Sequence, residues 1–448
     1  MNKRVFLDQL EKLLQDLPKE VREDILYDYD EHFRVALEEG KREEEIAKSL
    51  GMPEEIVKEF MQGYLDEPQQ NNKVNSLINN LGEIFQNFGG ERKKHMIDQK
   101  EKYKVDDLKR IEIDSNSPLI KIHNFDGDEV MIHLHGEIES NFTKKIMLQT
   151  NLINGGLQIS LIREIGLGFG IHREKLRLDL YLPNSYDQQL LITTTSGSVE
   201  AQELNLTEFS IDSSSGSLRL DYIRAKESRF KANSGSIKLK NYEGELEVVT
   251  HSGSIKVEAI NATKATLTAK SGSIEIVKLN GEVVAETSSG SIKLESVKSL
   301  KTILKGSSGS IKINNLIGDL EGRTHSGSIK VESALTQNTY LKSISGKIQL
   351  TNFVGNLMGE VTSGSIIAEY KEFRNSINLT AVSGKIDLTL PKEAQFIINA
   401  KTTSGGIKTN FPITLTHASR RSMMGVVGND ENKINLETVS GSIKINQK

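Results

Sequence analysis

A four-residue motif, Ser-Gly-x-(Ile, Leu or Val), recurs thirteen times from Ser196 onward and constrains the fold of this 448-residue chain more than any other feature. The first nine steps between successive motif glycines form a narrow period of about 18–19 residues, and the last three steps are longer. A short, nearly fixed period is typical of a solenoid, in which each repeat forms one coil that packs on its neighbours.

Each repeat alternates apolar and polar residues, as in Ile237-Lys238-Leu239, which indicates a strand with one buried face. A second alternating run, such as Leu246, Val248 and Thr250, follows after a turn. We predict about two strands per coil and thirteen coils stacked in parallel at ~4.8 Å per coil. The predicted fold class is mainly β: a single-stack β-solenoid of parallel coils of about 18–19 residues, preceded by a small all-α bundle.

The Ser-Gly pair is interpreted as a structural corner of each coil. Glycine tolerates positive φ and close approach of another backbone, and the serine before each glycine is predicted to form a continuous ladder along the stack. Thirteen equivalent serines without a paired histidine and acid do not make a catalytic arrangement, so no catalytic residue is assigned. The corner glycines are Gly197, Gly216, Gly235, Gly253, Gly272, Gly290, Gly309, Gly327, Gly346 and Gly364.

The sequence also has a second, longer period. Gly244, Gly281, Gly318 and Gly355 recur at a constant spacing that equals two coils. The unit that was duplicated is therefore interpreted as a pair of coils, whose members differ at their second turn.

Composition limits the classes of function. The chain has no cysteine, which excludes disulfides and thiolate metal sites. Its net charge of −4 does not favour nucleic-acid binding. No phosphate loop, dinucleotide motif or zincin motif is present, and neither a cofactor nor a metal site is predicted. His133 and His135 can share one strand face, but solvent-facing histidines are the commoner outcome of such a pair.

The N-terminal residues follow a helical period. Apolar positions such as Phe6, Leu10, Tyr29 and Phe33 predict a compact helical module over residues 1–65. Residues 1–70 contain 19 acidic and 10 basic residues, so this part of the chain is acidic.

Residues 66–104 are predicted to be a linker that contains an amphipathic helix at 74–88. One interpretation is that this helix covers the end of the solenoid or docks on the bundle, because an open solenoid end needs a cap. The other is that it lies on a membrane surface, helped by the basic run that follows it. The residues of its apolar stripe are Leu77, Leu81, Phe85 and Phe88.

One surface column of the solenoid is rich in cations. It is interpreted first as a solvated face that discourages aggregation, and alternatively as a ridge that binds polyanions such as teichoic acid, anionic lipid or polysaccharide. The residues of this cationic column are Arg219, Lys238, Lys256, Lys293, Lys312 and Lys330. Residues 415–433, which interrupt the last coils, are predicted to form a protruding, positively charged loop.

Residues 105–448 resemble the bacterial "putative adhesin" β-solenoid family. The resemblance rests on Ile111-Glu112-Ile113, on the turn Asn124-Phe125-Asp126-Gly127-Asp128, on Leu182-Pro183 and on coils that begin like Thr195-Ser196-Gly197-Ser198. It implies a leading β region at 105–192 followed by the Ser-Gly solenoid at 193–448. Related proteins in Gram-positive bacteria are linked to cell-envelope stress.

The N-terminal module resembles a HAAS-type helical signalling domain. The matching residues are Leu17-Pro18, Asp28-Tyr29, Glu31-His32-Phe33, Gly40, Glu43-Glu44-Glu45-Ile46 and Leu50-Gly51-Met52-Pro53-Glu54. In that family the domain usually precedes transmembrane helices and couples them to cytosolic regulators. This chain has the amphipathic helix where such a span is expected.

Together these features predict a non-catalytic scaffold or regulatory protein linked to cell-envelope stress. The helical module is expected to bind a partner protein, and the solenoid to present an extended binding surface. The alternative is a surface-exposed adhesin or a polyanion-binding protein. Because no secretion signal is recognised at the N-terminus, a cytoplasmic location is expected, with peripheral attachment to the inner face of the membrane left open.

Overall fold

The computed structural model describes residues 1–15, 22, 26, 29–30, 33, 37, 42–57, 93–140, 146–163, 171–428 and 431–448. The predicted helix 74–88, with Leu77, Leu81, Phe85 and Phe88, lies outside the described residues. The chain forms two compact units: the first comprises Met1–Gln99, Leu134–Gln149 and Leu161–Leu176, and the second comprises Lys100–His133, Thr150–Ser160 and Arg177–Lys448.

The helical part begins with α1 (Lys3–Leu13) and continues with α2 (Glu43–Leu50); residues 53–57 are helical as well. The Asn2 side chain caps α1 by accepting a hydrogen bond from the Val5 N–H at 2.9 Å. The α2 helix begins with a capping box, in which the Glu45 side chain reaches back to the backbone N–H of Arg42. These signals place the helix starts where the sequence pattern predicts them.

The apolar positions of the helical period meet in one core. The Phe6 ring lies 5.4 Å from that of Phe33 and 5.9 Å from that of Tyr29. The small all-α bundle that the sequence predicts is therefore confirmed. The buried core residues are Phe6, Leu10, Leu14, Tyr29, Phe33, Ile46, Ala47, Leu50, Ile56 and Val57.

The rest of the described chain is almost entirely β. The first strands are β1 (Lys93–Lys104), β2 (Arg110–Ser115), β3 (Leu119–Phe125), β4 (Glu129–Ser140), β5 (Ile146–Ile153), β6 (Gly156–Arg163), β7 (Ile171–Pro183) and β8 (Gln189–Thr194), with a short 3₁₀ helix at Val105–Asp107. The β1 strand occupies the last part of the segment predicted as a linker.

The solenoid strands follow in chain order. They are β9 (Val199–Ser213), β10 (Leu218–Ala232), β11 (Ile237–Thr250), β12 (Ile255–Ala269), β13 (Ile274–Thr287), β14 (Ile292–Gly306), β15 (Ile311–Thr324), β16 (Ile329–Val331), β17 (Ala334–Ser343), β18 (Ile348–Ser363), β19 (Ile366–Tyr370), β20 (Ile377–Ser383), β21 (Ile386–Leu390), β22 (Phe396–Thr402), β23 (Ile407–Thr409), β24 (Thr414–Ala418), β25 (Ser422–Val427), β26 (Lys433–Ser440) and β27 (Ile443–Gln447).

The predicted β-solenoid is confirmed. Strands β9 to β15 pair consecutively and in parallel, so that Leu218 lies opposite both Val199 and Ile237. Most of these coils contain one long strand whose alternation breaks twice, at residues 221–222 and 226–227 in β10, rather than the two separate strands expected from the sequence. The alternating side chains point inward as predicted, and Ile237, Leu239 and Val248 are buried.

The Ser-Gly motif forms the first corner of each coil, where neighbouring backbones touch. A Cβ atom added to Gly216, Gly272 or Gly309 would lie only 1.9, 1.8 or 1.7 Å from the carbonyl oxygen of the preceding motif glycine. The expected positive φ is wrong for nine of the ten corner glycines, since only Gly364 has one, at 154°. Close stacking, and not an unusual backbone conformation, is what excludes a side chain there.

Serine hydroxyls connect neighbouring first corners, but the ladder uses the serine after each glycine rather than the one before it. The N–H of Ser273 donates to Ser254 Oγ at 3.3 Å, and the N–H of Ser291 donates to Ser273 Oγ at 3.2 Å. The prediction that the preceding serines form the ladder is therefore wrong in position.

A buried threonine stabilises the first corner in alternate coils of the central stack. The hydroxyl of Thr287 accepts from the N–H of Gly290 at 3.1 Å and donates to the carbonyl oxygen of Gly272, in the preceding coil, at 3.0 Å. Thr250 and Thr324 make the same two bonds one coil pair away in each direction. The alternation of the sequence identified these threonines only as inward residues.

The second corner explains why shorter and longer coils alternate along the central stack. Gly244, Gly281, Gly318 and Gly355 have positive φ values of 124°, 125°, 114° and 141°. Each lies in the shorter coil of a pair, and the strand register shifts at this corner, for example between Glu243 and Leu246. A glycine in this conformation turns the chain with one residue fewer.

The stack departs from chain order at its C-terminal end. Strand β21 pairs with β27 and β27 pairs with β23, so the last repeat of the sequence lies between the two that precede it. The predicted in-order stacking of all thirteen coils is wrong here, because a period identifies compatible neighbours but does not fix their order.

A hairpin occupies the segment predicted as a protruding loop. Strands β24 and β25 pair antiparallel with each other, and β25 also pairs antiparallel with β22. This hairpin covers an edge of β22 that would otherwise expose unpaired backbone groups. The loop prediction for residues 415–433 is therefore wrong over both strands.

Candidate binding surfaces of the solenoid

The six residues of the cationic column stack in one register on successive coils, interrupted by Glu275 between Lys256 and Lys293. All six form ion pairs. The pairs are Arg219 with Glu200 (3.1 Å), Lys238 with Glu258 (3.2 Å), Lys256 with Glu275 (3.2 Å), Lys293 with Glu275 (3.4 Å) and Glu295 (2.5 Å), and Lys312 and Lys330 with Glu332 (3.5 and 2.8 Å).

The acids of this surface are held in their charged form. A hydrogen bond from Lys256, with a smaller contribution from Lys293, lowers the pKa of the Glu275 carboxyl below its ordinary value. Hydrogen bonds from Lys293 and Lys330 lower the pKa values of Glu295 and Glu332 in the same way. The column is thus a mixed-charge ladder, and its attraction for a polyanion is reduced because each cation already faces an acid.

A buried carboxylate lies near the start of the second unit. Asp179 on β7 is 2% exposed, and its Oδ1 accepts a hydrogen bond from Arg177 at 2.8 Å and lies 2.7 Å from His123 Nε2. His133 on β4 has a ring nitrogen within 4.8 Å of the same carboxylate. Because the guanidinium already compensates the buried charge, a bound cation is disfavoured and we assign the cluster a structural role.

Two clefts open on the solenoid surface, and sequence reasoning identified neither. The first has a volume of about 610 Å³ and contains the exposed ring of Tyr222. The second has a volume of about 520 Å³ and contains Tyr340, whose ring is covered by the Arg323 guanidinium at 5.1 Å. Both clefts are lined by several asparagines, which supply amide donors and acceptors.

The helical module offers a different kind of surface. Ten of the described residues are buried in its own core, whereas Val5, Leu37 and Met52 are exposed, as are Glu44 and Glu54. None of the helices that the structure describes is long and apolar enough to cross a membrane.

Among solved structures, the chain is similar to a "putative cell adhesion protein" of Clostridium sporogenes, at 11% identity over 80% of this chain and 100% of that one, with a TM-score of 0.16. It is also similar to a "putative adhesin" of Parabacteroides merdae, at 15% identity over 58% and 97% of the two chains (TM-score 0.34). A "putative lipid binding protein" of Parabacteroides distasonis matches at 17% identity over 56% and 96% (TM-score 0.31). No curated protein matches significantly.

Two family models match the sequence. The HAAS model matches residues 6–59, which contain the helical module. The model described as Toastrack DUF4097 matches residues 108–315 and 280–446, well over half of the chain. The protein therefore belongs to the Toastrack DUF4097 family and carries an N-terminal HAAS domain.

Proposed function

We propose that the protein is a non-catalytic scaffold or regulator linked to cell-envelope stress. In this proposal the HAAS domain binds a partner protein and the Toastrack solenoid presents an extended binding surface. The combination of these two parts in one chain is the observation that carries the proposal, because each has a core of its own and leaves a distinct polar surface outside.

The charge of the helical module supports a protein partner. Residues 1–70 have 19 acids against 10 bases, and Glu43, Glu44 and Glu45 all lie in the first turn of α2. An acidic module of this kind suits a partner with a basic patch, because complementary charge accelerates encounter and fixes orientation.

The construction of the solenoid supports a role in presenting a surface. Long parallel strands, corners linked by hydroxyl groups and ladders of ion pairs hold the outward side chains at a regular spacing of about 4.8 Å. Such columns suit recognition of an extended ligand. We propose a cytoplasmic location, with peripheral attachment at the inner face of the membrane as the alternative, and fractionation of native cells into cytosol, membrane and surface distinguishes the two.

Site-specific crosslinking in native cells tests the role of the helical module. A photo-crosslinking residue is introduced into the full chain at Glu44 or Glu54, or at exposed Asn378 of the solenoid as a matched control. We expect the same crosslinked protein from both helical positions and its absence from the control. The absence of a shared product from the two helical positions, or an equal product from all three, would contradict the proposal.

A further inference from the structure

Tyr222 is the one exposed tyrosine among those that the structure describes. Its side chain is 59% exposed, whereas Tyr186, Tyr242 and Tyr370 are buried. Its φ of 52° lies in the left-handed region, which glycine and asparagine adopt readily and a bulky aromatic residue rarely does. Glu203, at the equivalent position of the preceding coil, has the same conformation with a φ of 58°, so the bend itself requires this backbone and Tyr222 places an aromatic ring there without gaining burial.

The cleft around Tyr222 extends over five successive coils, from Glu203 to Asn280. Beside the ring runs a polar column whose members lie opposite one another in register: Asn205, Arg224, Glu243, Asn261 and Asn280. Coils about 4.8 Å apart give the cleft a length that suits several linked units of a ligand rather than one small molecule.

The polar groups of the cleft are held in place and keep bonding capacity. Asn280 Nδ2 donates to Asn261 Oδ1 at 3.0 Å, and Arg224 donates to Glu243 at 2.8 Å. Each amide has two N–H donors and one carbonyl, so one internal bond leaves further sites for a ligand. Below them, the buried Tyr242 hydroxyl donates to the Glu245 carbonyl at 2.6 Å, which fixes the floor of the cleft.

The charges of the cleft lining cancel. Glu203 and Glu243 are acidic, Arg224 and Lys278 are basic, and Arg224 is paired with Glu243. A polyanion would gain no net attraction from this set, and an apolar ligand would leave the amides and carboxylates unpaired. The lining therefore suits a neutral ligand with many hydroxyl groups.

We infer that the Tyr222 cleft binds a neutral oligosaccharide. A pyranose ring has an apolar C–H face that can stack on an exposed tyrosine ring, and hydroxyl groups at its rim that can bond to amides and carboxylates. This inference deepens the proposed role of the solenoid as a binding surface and rests on it.

The test is calorimetric titration of the full chain with neutral hexasaccharides of glucose, N-acetylglucosamine, mannose and galactose. We expect one or more to bind, Tyr222→Asn to weaken binding about tenfold because the stacking contact is lost, and Tyr222→Trp to retain it. Because asparagine tolerates this φ, Tyr222→Asn should unfold at the same or a higher temperature, which separates lost binding from misfolding. Tyr340→Asn in the other cleft is the matched control and should bind normally.

Each contrary outcome is informative. If a hexasaccharide binds wild type and Tyr222→Asn equally, the assignment to this cleft is overturned while the solenoid remains a binding surface. If none of the four binds, or if lipoteichoic acid alone binds in a salt-sensitive manner, the saccharide inference is overturned. Neither result affects the crosslinking test of the helical module.

Discussion

The two corners of each coil differ in what limits their sequence. At the first corner the coils share the same Ser-Gly pair, because from Gly216 onward each motif glycine stacks on the carbonyl group of a motif glycine in the neighbouring coil. At the second corner glycine is needed only in the shorter coil of each pair, and the positions at or beside it carry exposed residues as different as Lys226, Leu300 and Ile317. Backbone contact between coils excludes a side chain at the first corner of every coil, but at the second corner only in the shorter coils, where a glycine such as Gly281 lies against a carbonyl group.

This difference indicates which positions of the repeat have a structural role and which are available for binding. The motif that repeats most strictly is the one with a purely structural role. Exposed residues vary more away from the first corner, and Tyr222, three residues before Ala225 of the second corner, lines a cleft. A solenoid can therefore vary its recognition surface without disturbing the contacts that stack its coils.

The largest effect is expected at the first corner from Gly272→Ala. The new Cβ would lie 1.8 Å from the carbonyl oxygen of Gly253, and separating the coils should cost about 3 kcal/mol or more. Ser273→Ala is the matched control and should cost less than about 1 kcal/mol, because the side chain is exposed and water can replace its bond. Thermal unfolding measures both, and equal small shifts would rule out the close-stacking account.

The second corner should require glycine only in alternate coils. In Gly281→Ala the added Cβ would lie 1.5 Å from the carbonyl oxygen of Ala262, in a backbone with φ of 125°, so a loss of about 2–3 kcal/mol is expected. Ala262 is the equivalent residue of a longer coil, and another longer coil has Ser299 at this position. Ala262→Ser should therefore change stability by less than about 0.5 kcal/mol. Similar losses of stability in both variants would contradict the requirement for glycine in alternate coils only.

Thr287→Val tests the hydroxyl that joins two first corners. Valine preserves the shape but leaves the Gly290 N–H and the Gly272 carbonyl without their partner, at a cost of about 1–3 kcal/mol. Thr287→Ser should retain most of the stability, since at the equivalent positions Ser213 accepts from the N–H of Gly216 and Ser343 donates to the carbonyl oxygen of Gly327 in the preceding coil. Chemical denaturation measures the free energy of unfolding of both variants. If Thr287→Val is as stable as wild type, the hydroxyl does not stabilise the corner.

The smallest effect is expected on the outer face, from Glu275→Gln. This change removes the acid that faces Lys256 and Lys293, and a partly exposed pair of this kind contributes less than about 1 kcal/mol. The folded-state pKa of Glu275 is lowered from 4.5, so its contribution is present above that pH and is lost as pH falls through the folded-state value. The variant should therefore lose less stability than wild type on acidification. Identical pH profiles of stability would show that these ion pairs do not contribute to it.

The sequence predicted the repeat but not its exceptions. The alternation around Ile237 and Leu239 was sufficient for strands, inward faces and stacking, because these depend on local pattern. The order of β21, β27 and β23 was not predictable, since coils with the same motif are interchangeable neighbours. The Tyr222 cleft was missed for another reason: the exposure of one aromatic ring beside a cleft leaves no trace in a period.

The central claim is that the first corner stacks the coils, whereas Tyr222, which lies between the first and second corners of its coil, is free to act as a binding residue. The most direct test compares the thermal unfolding midpoints of Tyr222→Asn and Gly272→Ala with that of the wild-type chain. The account predicts that Tyr222→Asn unfolds at or above the wild-type temperature and that Gly272→Ala unfolds well below it. A loss of stability in Tyr222→Asn as large as that in Gly272→Ala would contradict the claim.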